Sequence, residues 1–283
     1  EDDCSYIFYK KSTIAAVIPC ALYGTGENTT LHSHPRCTYG GFVVSTQIGM
    51  EEAVEMVGKL KDEAVSMGVK RIIVRNPFRI FNSSLCDESD YAMWYHGFSL
   101  KSREVEIAID LRHSLEYLRK NYENGTKYNV KKALKHVETA ESEDFATFWS
   151  ILEQGLSEKH GKAPVHTLQD MQRLITLTGQ DKVKLFGGFA EGKMVCGVLV
   201  FLFGGRAIHA QYIGSDSNWQ DLRPVNAVID YIIEWGHKNG YAYFNLGMAN
   251  EEEGRKINFG LYHFKESFGG RGVLRETMML TLP

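Results

Sequence analysis

Between Val183 and Gly214 the chain spells three strands, Val183–Ala190, Lys193–Phe203 and Arg206–Gly214, separated by Glu191-Gly192 and Gly204-Gly205. A two-residue turn needs positive φ, which glycine adopts at little steric cost, so each dipeptide predicts a hairpin. Three antiparallel neighbours are thereby set, and their apolar faces must be covered by something. The flanking sequence supplies helices. Upstream, Ser142 is expected to cap a helix with Phe145, Phe148, Trp149, Leu152 and Leu156 on one face. Thr167 opens a second, with Asp170 three residues on and Gly179 closing it. Downstream come a loop, Ser215–Arg223, and a helix running from Pro224 at its first position to Gly240 just past its end. Val225, Val228, Ile229, Ile232 and Ile233 form its buried stripe. Strand Tyr241–Gly247, a polar loop, a helix around Lys265 and a strand Val273–Leu282 complete this half.

The first half is a weaker echo. Strands are expected at Ser5–Lys10 and Thr13–Cys20, and a Tyr39-Gly40-Gly41 turn leads into Phe42–Thr46. A helix Glu51–Met67 is closed by Gly68, and strands Arg71–Arg75 and Val105–Leu111 follow. Between Leu111 and His136 lie Arg112, Arg119, Lys120, Lys127, Lys131, Lys132 and Lys135 against only Glu116 and Glu123. So basic a segment, in a chain of net charge −3, reads as a footprint for a phosphorylated ligand. The expected divisions are residues 1–110, a basic linking helix 111–136, and residues 137–283. Duplication is inferred from element order, with no repeat visible at the residue level.

The overall charge argues against a general nucleic-acid binder. The longest apolar stretch, Met194–Phe203, is too short to span a bilayer, so no membrane insertion is expected. Cys4, Cys20, Cys37, Cys86 and Cys196 are scattered without a Cys-x-x-Cys, which favours a reduced, cytoplasmic setting. His32-Ser-His34 has no carboxylate or cysteine cluster beside it and is read as a loop, so no metal is expected.

Near the C-terminus, Lys265 sits between Phe264 and Phe268, with Gly260 before it and Gly269-Gly270 after it. A cation among aromatics suits a partly desolvated site, where its charge is screened less than in water. The pattern Gly-x-Tyr-x-Phe-Lys-x-x-Phe-Gly-Gly resembles the C-terminal signature of Fem-type transferases. Those are variants of the GNAT (acyl-CoA N-acyltransferase) fold that place an acyl or aminoacyl group on an amine. Thr38-Tyr39-Gly40-Gly41, Lys127–Ala133, Leu222-Arg223-Pro224 and Phe244–Gly247 are similar to further pieces of that family, in the same order.

The resemblance implies an α/β fold of mixed sheets, a tandem GNAT-like arrangement. It also implies acyl-CoA (acetyl-CoA) as donor, held between two splayed parallel strands with its pyrophosphate at a helix N-terminus. On this chain the donor residues would be Gln211, Tyr212, Ile213, Arg223 and Asn226. The family's glycine-rich phosphate loop is absent; Ser215–Pro224 reads SDSNWQDLRP, so Arg223 would have to pair with a phosphate instead. The implied acceptor is large and anionic, a small-molecule or nucleotide-linked precursor. Lys131 and Lys132 are assigned to its phosphate, and Tyr39, Gly40, Asn245, Asn250, Asn258 and Phe264 to the rest. Lys265 is the catalytic candidate, stabilising charge. No general base stands out: Glu266 points away from Lys265 on a helix, and His209 and His263 read as structural. The rivals are a Fem-type aminoacyltransferase using aminoacyl-tRNA, and a non-catalytic module that binds an envelope glycan or nucleotide sugar.

Overall fold

Both hairpins form where the dipeptides predict them. In the computed structural model, which describes residues 2–34, 37 and 40–283, Val183 faces Phe201 and Phe203 faces Ala207 across antiparallel ladders. Glu191 and Gly192 have φ of 51° and 73°, and Gly204 and Gly205 have 52° and 68°. Positive φ at both central residues matches the twist of the flanking strands. Arg206 belongs to the second turn, because its N–H bonds the Phe203 carbonyl at 2.7 Å; the strand is Ala207–Ser215.

The chain divides into two compact units. One comprises Glu1–Val105, Asn250–Ile257 and Val273–Pro283, the other Glu106–Ala249 and Asn258–Gly272. These differ from the divisions expected at 110 and 136, because both units are assembled from separated segments.

In the second unit, strand Tyr243–Met248 runs parallel to Ala207–Ser215, and the end of strand Ser99–Asp110 pairs antiparallel on its other side. Helix Pro224–Lys238 covers one face of this sheet, meeting Phe186, Val198, Ile208 and Phe244 with its Ile229, Ile232 and Ile233. Helix Phe145–His160 covers the other with Phe148, Trp149 and Leu152. Phe148 explains a glycine in the central strand: a Cβ on Gly197 would stand 2.6 Å from its ring. Ser142 is not a helix cap. It ends an edge strand, Glu138–Ser142, paired with Val183–Ala190, and the cap is Asp144, whose carboxylate accepts from the Thr147 N–H at 3.0 Å. The strand sequence Glu-Thr-Ala-Glu-Ser lacks apolar alternation, since an edge strand of this kind buries little. The basic segment is two helices, Leu115–Lys120 and Asn124–Ala133. The chain breaks between them where Glu123 N–H bonds the Ser267 carbonyl at 2.8 Å.

The first unit also mixes pairings. Strand Thr30–His32 is parallel to Arg71–Arg75, with helix Met50–Ser66 between them in the chain, and the last strand, Arg271–Thr281, puts Thr277 antiparallel opposite Arg75. That last strand was read with the C-terminal half; Leu280 and Leu282 bury in the first unit's core. Strands Ala21–Tyr23 and Thr30–His32 and helix Glu88–Tyr95 were not legible as periodic segments. A smaller sheet joins Tyr6–Lys10, Thr13–Ile18 and Val43–Val44, all shorter than expected. Tyr39 and Thr38 lie outside the described residues. Gly40 is pressed onto its surroundings: its N–H bonds the Arg75 carbonyl at 3.1 Å, and a Cβ there would lie 2.3 Å from the Ser33 carbonyl oxygen. Only glycine allows that approach.

Candidate active site

The two parallel strands of the second unit stay together for three residue pairs, Ala207–Tyr243, Ile208–Phe244 and His209–Asn245, and then part. Beyond that point Ala207–Ser215 remains with Lys193–Phe203, and Tyr243–Met248 turns so that Met248 faces Glu106. Each strand carries an irregularity there. Ala210 faces Val200 and Tyr212 faces Leu199, which leaves Gln211 as an extra, bulged residue. On the other strand Gly247 has φ of +79°. Bulges and left-handed glycines bend strands, so the opening is built in.

Polar side chains converge where the strands part. Asn245, Glu106, His209 and Lys265 are 0, 1, 3 and 5 % exposed. Charges are rarely buried this deeply unless partnered, and these are partnered. Asn245 braces the group: its amide nitrogen donates to Glu106 Oε2 at 2.6 Å and its oxygen accepts from Gly247 N–H at 2.9 Å. His209 Nδ1 stands 3.8 Å from the same Glu106 oxygen. Lys265, on helix Phe259–Glu266, donates from Nζ to the Met248 carbonyl at 2.5 Å. Burial lowers its pKa to about 8, and the charge of Glu106 partly offsets that fall. The site thus holds a buried carboxylate, an ammonium near its titration point, and an imidazole.

Glu106 was not found in the sequence. Its signal was there: a carboxylate between Val105 and Ile107 inside the run Val-Glu-Ile-Ala-Ile. His209, read as structural, joins the cluster. Phe264 and Phe268 do not cage the ammonium. They meet edge to face at 5.5 Å, Phe268 meets Tyr122 at 5.4 Å, and no ring lies over Lys265 among the described residues. They fix the helix that carries the lysine. Asn258 caps that helix, its Oδ1 accepting from Leu261 N–H at 3.0 Å.

Of the other assigned residues, Gly40 and Asn250 belong to the first unit, where Asn250 Nδ2 donates to the Val105 carbonyl at 2.5 Å. Two of the basic residues are consumed by the fold. Arg112 pairs with Asp110, and Arg119 donates to Asp230 (2.8 Å) and Glu234 (2.6 Å) on helix Pro224–Lys238. Lys131 and Lys132, in the last turn of Asn124–Ala133, make no ion pair among the described residues. Ala133 of that turn packs on Ala227, close to the start of helix Pro224–Lys238.

Gln211, Tyr212 and Ile213 lie on the strand past the parting point, and the Tyr212 hydroxyl meets His166 Nδ1 at 2.7 Å. Arg223 is exposed, with φ of 58°, immediately before Pro224. The buried Asn226 spends its N–H on the Arg223 carbonyl at 3.0 Å. A groove of about 580 Å³ lined by Glu141, Phe145, Ile175, Val183 and Leu185 opens beside the edge strand. None of the four clustered residues lines it.

Comparison with known proteins accords with this geometry. A family model described as the acetyltransferase (GNAT) domain matches residues 112–265. The chain belongs to this family. No curated protein sequence matches it. Among solved structures, FemX is similar with a TM-score of 0.75 at 14 % identity, over 99 % of this chain and 88 % of that one. The C-terminal domain of a protein named as a lysylphosphatidylglycerol synthetase, from Agrobacterium fabrum, gives 0.64 at 11 % identity, over 97 % and 84 %. A tandem GNAT protein from the clavulanic acid biosynthesis pathway gives 0.51 at 9 %, over 98 % and 82 %. At such identities the likeness is one of fold, that of tandem GNAT proteins. The GNAT chain is an acyl- or aminoacyltransferase.

Proposed function

We propose that this GNAT protein moves an acyl group from acyl-CoA to an amine of a phosphorylated or saccharide acceptor of the cell-envelope kind, in the cytoplasm. The burial of Glu106 and Lys265 in one cluster where the strands part, each acting on the other's charge, carries the reading. An amine attacking a thioester must lose a proton as the N–C bond forms, and the carbonyl oxygen gathers negative charge. Glu106 is the base for that proton. Lys265 stabilises the oxygen: it has three N–H donors, one is held by Met248, and two remain. Collapse of the tetrahedral intermediate breaks the C–S bond, and the proton passes to the departing sulfur. Asn245 holds the Glu106 carboxylate in place by its hydrogen bond, with His209 next to it. Gln211, Tyr212 and Ile213 offer backbone to the donor, Arg223 a charge to its phosphates, and Lys131 and Lys132 charges to the acceptor. Asn258 and Phe264 act by positioning the helix of Lys265.

A second reading, with aminoacyl-tRNA as donor, is favoured by one observation. At the helix start meant for a pyrophosphate, Pro224 has no N–H and the Asn226 N–H is already bonded, so little amide capacity is left. The same base and ammonium would serve an ester.

Calorimetry with CoA separates the readings. Binding is expected, weakened in Arg223→Ala by about 1.5–3 kcal/mol for the lost charged contact. Binding of aminoacyl-tRNA without CoA moves the assignment to the second reading; binding of neither leaves a non-catalytic module. Glu106→Gln should keep donor affinity and lower turnover at least about 100-fold. Unchanged turnover would remove Glu106 as the base.

A further inference from the structure

An antiparallel sheet with one face on the core is expected to show water a polar face. The small sheet of the first unit does not. Its inner residues Ala16, Ile18, Phe8 and Val44 join the core. Its outer face is apolar too. Ile7 is opposite Val17, Val17 is opposite Val43, and Tyr9 is opposite Ile14, so these five side chains share one face across all three strands. Ile7, Tyr9, Ile14 and Val43 are 53, 62, 51 and 62 % exposed.

The tip of the hairpin adds charge. Lys10 and Thr13 are the last pair, and Lys11 lies in the turn between them. Lys11 has φ of 57°, a conformation that favours glycine, yet the sequence places a lysine there. Lys10 alternates onto the inner face with Phe8 and pairs there with Glu52 at 2.5 Å, so Lys11 carries the charge of the tip.

We infer that this face is a docking surface for an anionic membrane. Aliphatic side chains would enter the acyl boundary, the Tyr9 phenol would sit among headgroups as interfacial tyrosines do, and Lys11 would meet lipid phosphates. The composition fits lipid better than protein, because protein interface cores are enriched in aromatics, methionine and arginine. The extent fits as well. Five side chains make a patch of a few hundred Å² at most, short of the roughly 800 Å² per partner of a stable dimer. Attachment would be peripheral and reversible, and no described helix is long and apolar enough to cross a bilayer. The inference is independent of the proposed chemistry.

Vesicle flotation tests it, using phosphatidylcholine alone and phosphatidylcholine mixed with phosphatidylglycerol. The protein should float with the anionic vesicles, less with neutral ones, and less as salt is raised. Lys11→Gly removes one charge while suiting the turn, so binding to anionic vesicles should fall about fivefold with folding intact. The pair Ile7→Ser and Val43→Ser should abolish flotation. Trp94→Ser, which removes a 64 % exposed side chain on helix Glu88–Tyr95, should leave it unchanged as a control for general stickiness. No flotation of the wild type, or equal losses in the Trp94 variant, overturns the inference. So does a dimer in sedimentation that Ile7→Ser with Val43→Ser converts to monomer, because the face would then belong to a second copy.

Discussion

Lys265 illustrates how burial changes the proton affinity of an ordinary residue. Folding lowers its pKa from an ordinary 10.5 to about 8. Between those values the unfolded chain holds the proton and the folded one does not. Its contribution to stability is therefore present above about 10.5 and lost as pH falls through about 8. Lys265→Met should flatten that rise in a pH series of melting temperatures. The difference from wild type below pH 8 should be on the order of 3 kcal/mol in favour of the mutant, less the Met248 hydrogen bond. Activity should run the other way. Oxyanion stabilisation needs the ammonium, so kcat should fall as pH passes about 8, and Lys265→Met should be slow throughout with substrate affinity nearly kept. A mutant as fast as wild type would place Lys265 outside the chemistry. The sequence drew attention to this lysine for a reason the fold revises. Its ammonium lies against the end of strand Tyr243–Met248, at Gly247 and the Met248 carbonyl, and no aromatic ring lies over it among the described residues.

The helix Phe259–Glu266 has eight residues, too few to persist without tertiary packing and a cap. Phe264 and Phe268 supply the packing and Asn258 the cap. Asn258→Ala should therefore cost about 1 kcal/mol in denaturant unfolding, and Asn258→Asp or Asn258→Ser should restore most of it. Turnover should follow stability rather than substrate affinity. A rise in KM without loss of stability would return Asn258 to the acceptor. Elements of this kind were largely legible: the hairpins, the Thr167 capping box and the Pro224 start all carry local chemistry that decides them. The capping box forms, with Asp170 N–H donating to the Thr167 hydroxyl at 3.1 Å. Strands of three residues such as Ala21–Tyr23 and Thr30–His32 were not legible, since no period can be read in so short a run.

At the scale of the whole molecule, the units are not consecutive pieces of chain. The first takes its strand opposite Arg71–Arg75 from residues beyond Val273, together with Leu280 and Leu282 of its core. A fragment of residues 1–110, the expected first domain, should lack dispersed amide signals in an NMR spectrum and show no cooperative melting. A well-folded fragment would mean that the last strand adds little. The sequence by itself determined the hairpin order and the helix starts at Thr167 and Pro224, which follow from turn chemistry and capping acting over a few residues; the fold class and the attention to Lys265 came from the family resemblance of its motifs. Tertiary structure alone decided that strands Ala207–Ser215 and Tyr243–Met248 part after His209 and Asn245, and that Glu106 is drawn in beside Lys265. Glu106 and Lys265 are far apart in the chain. Their meeting depends on ladder register and on which face each side chain takes, and neither is written in the local sequence.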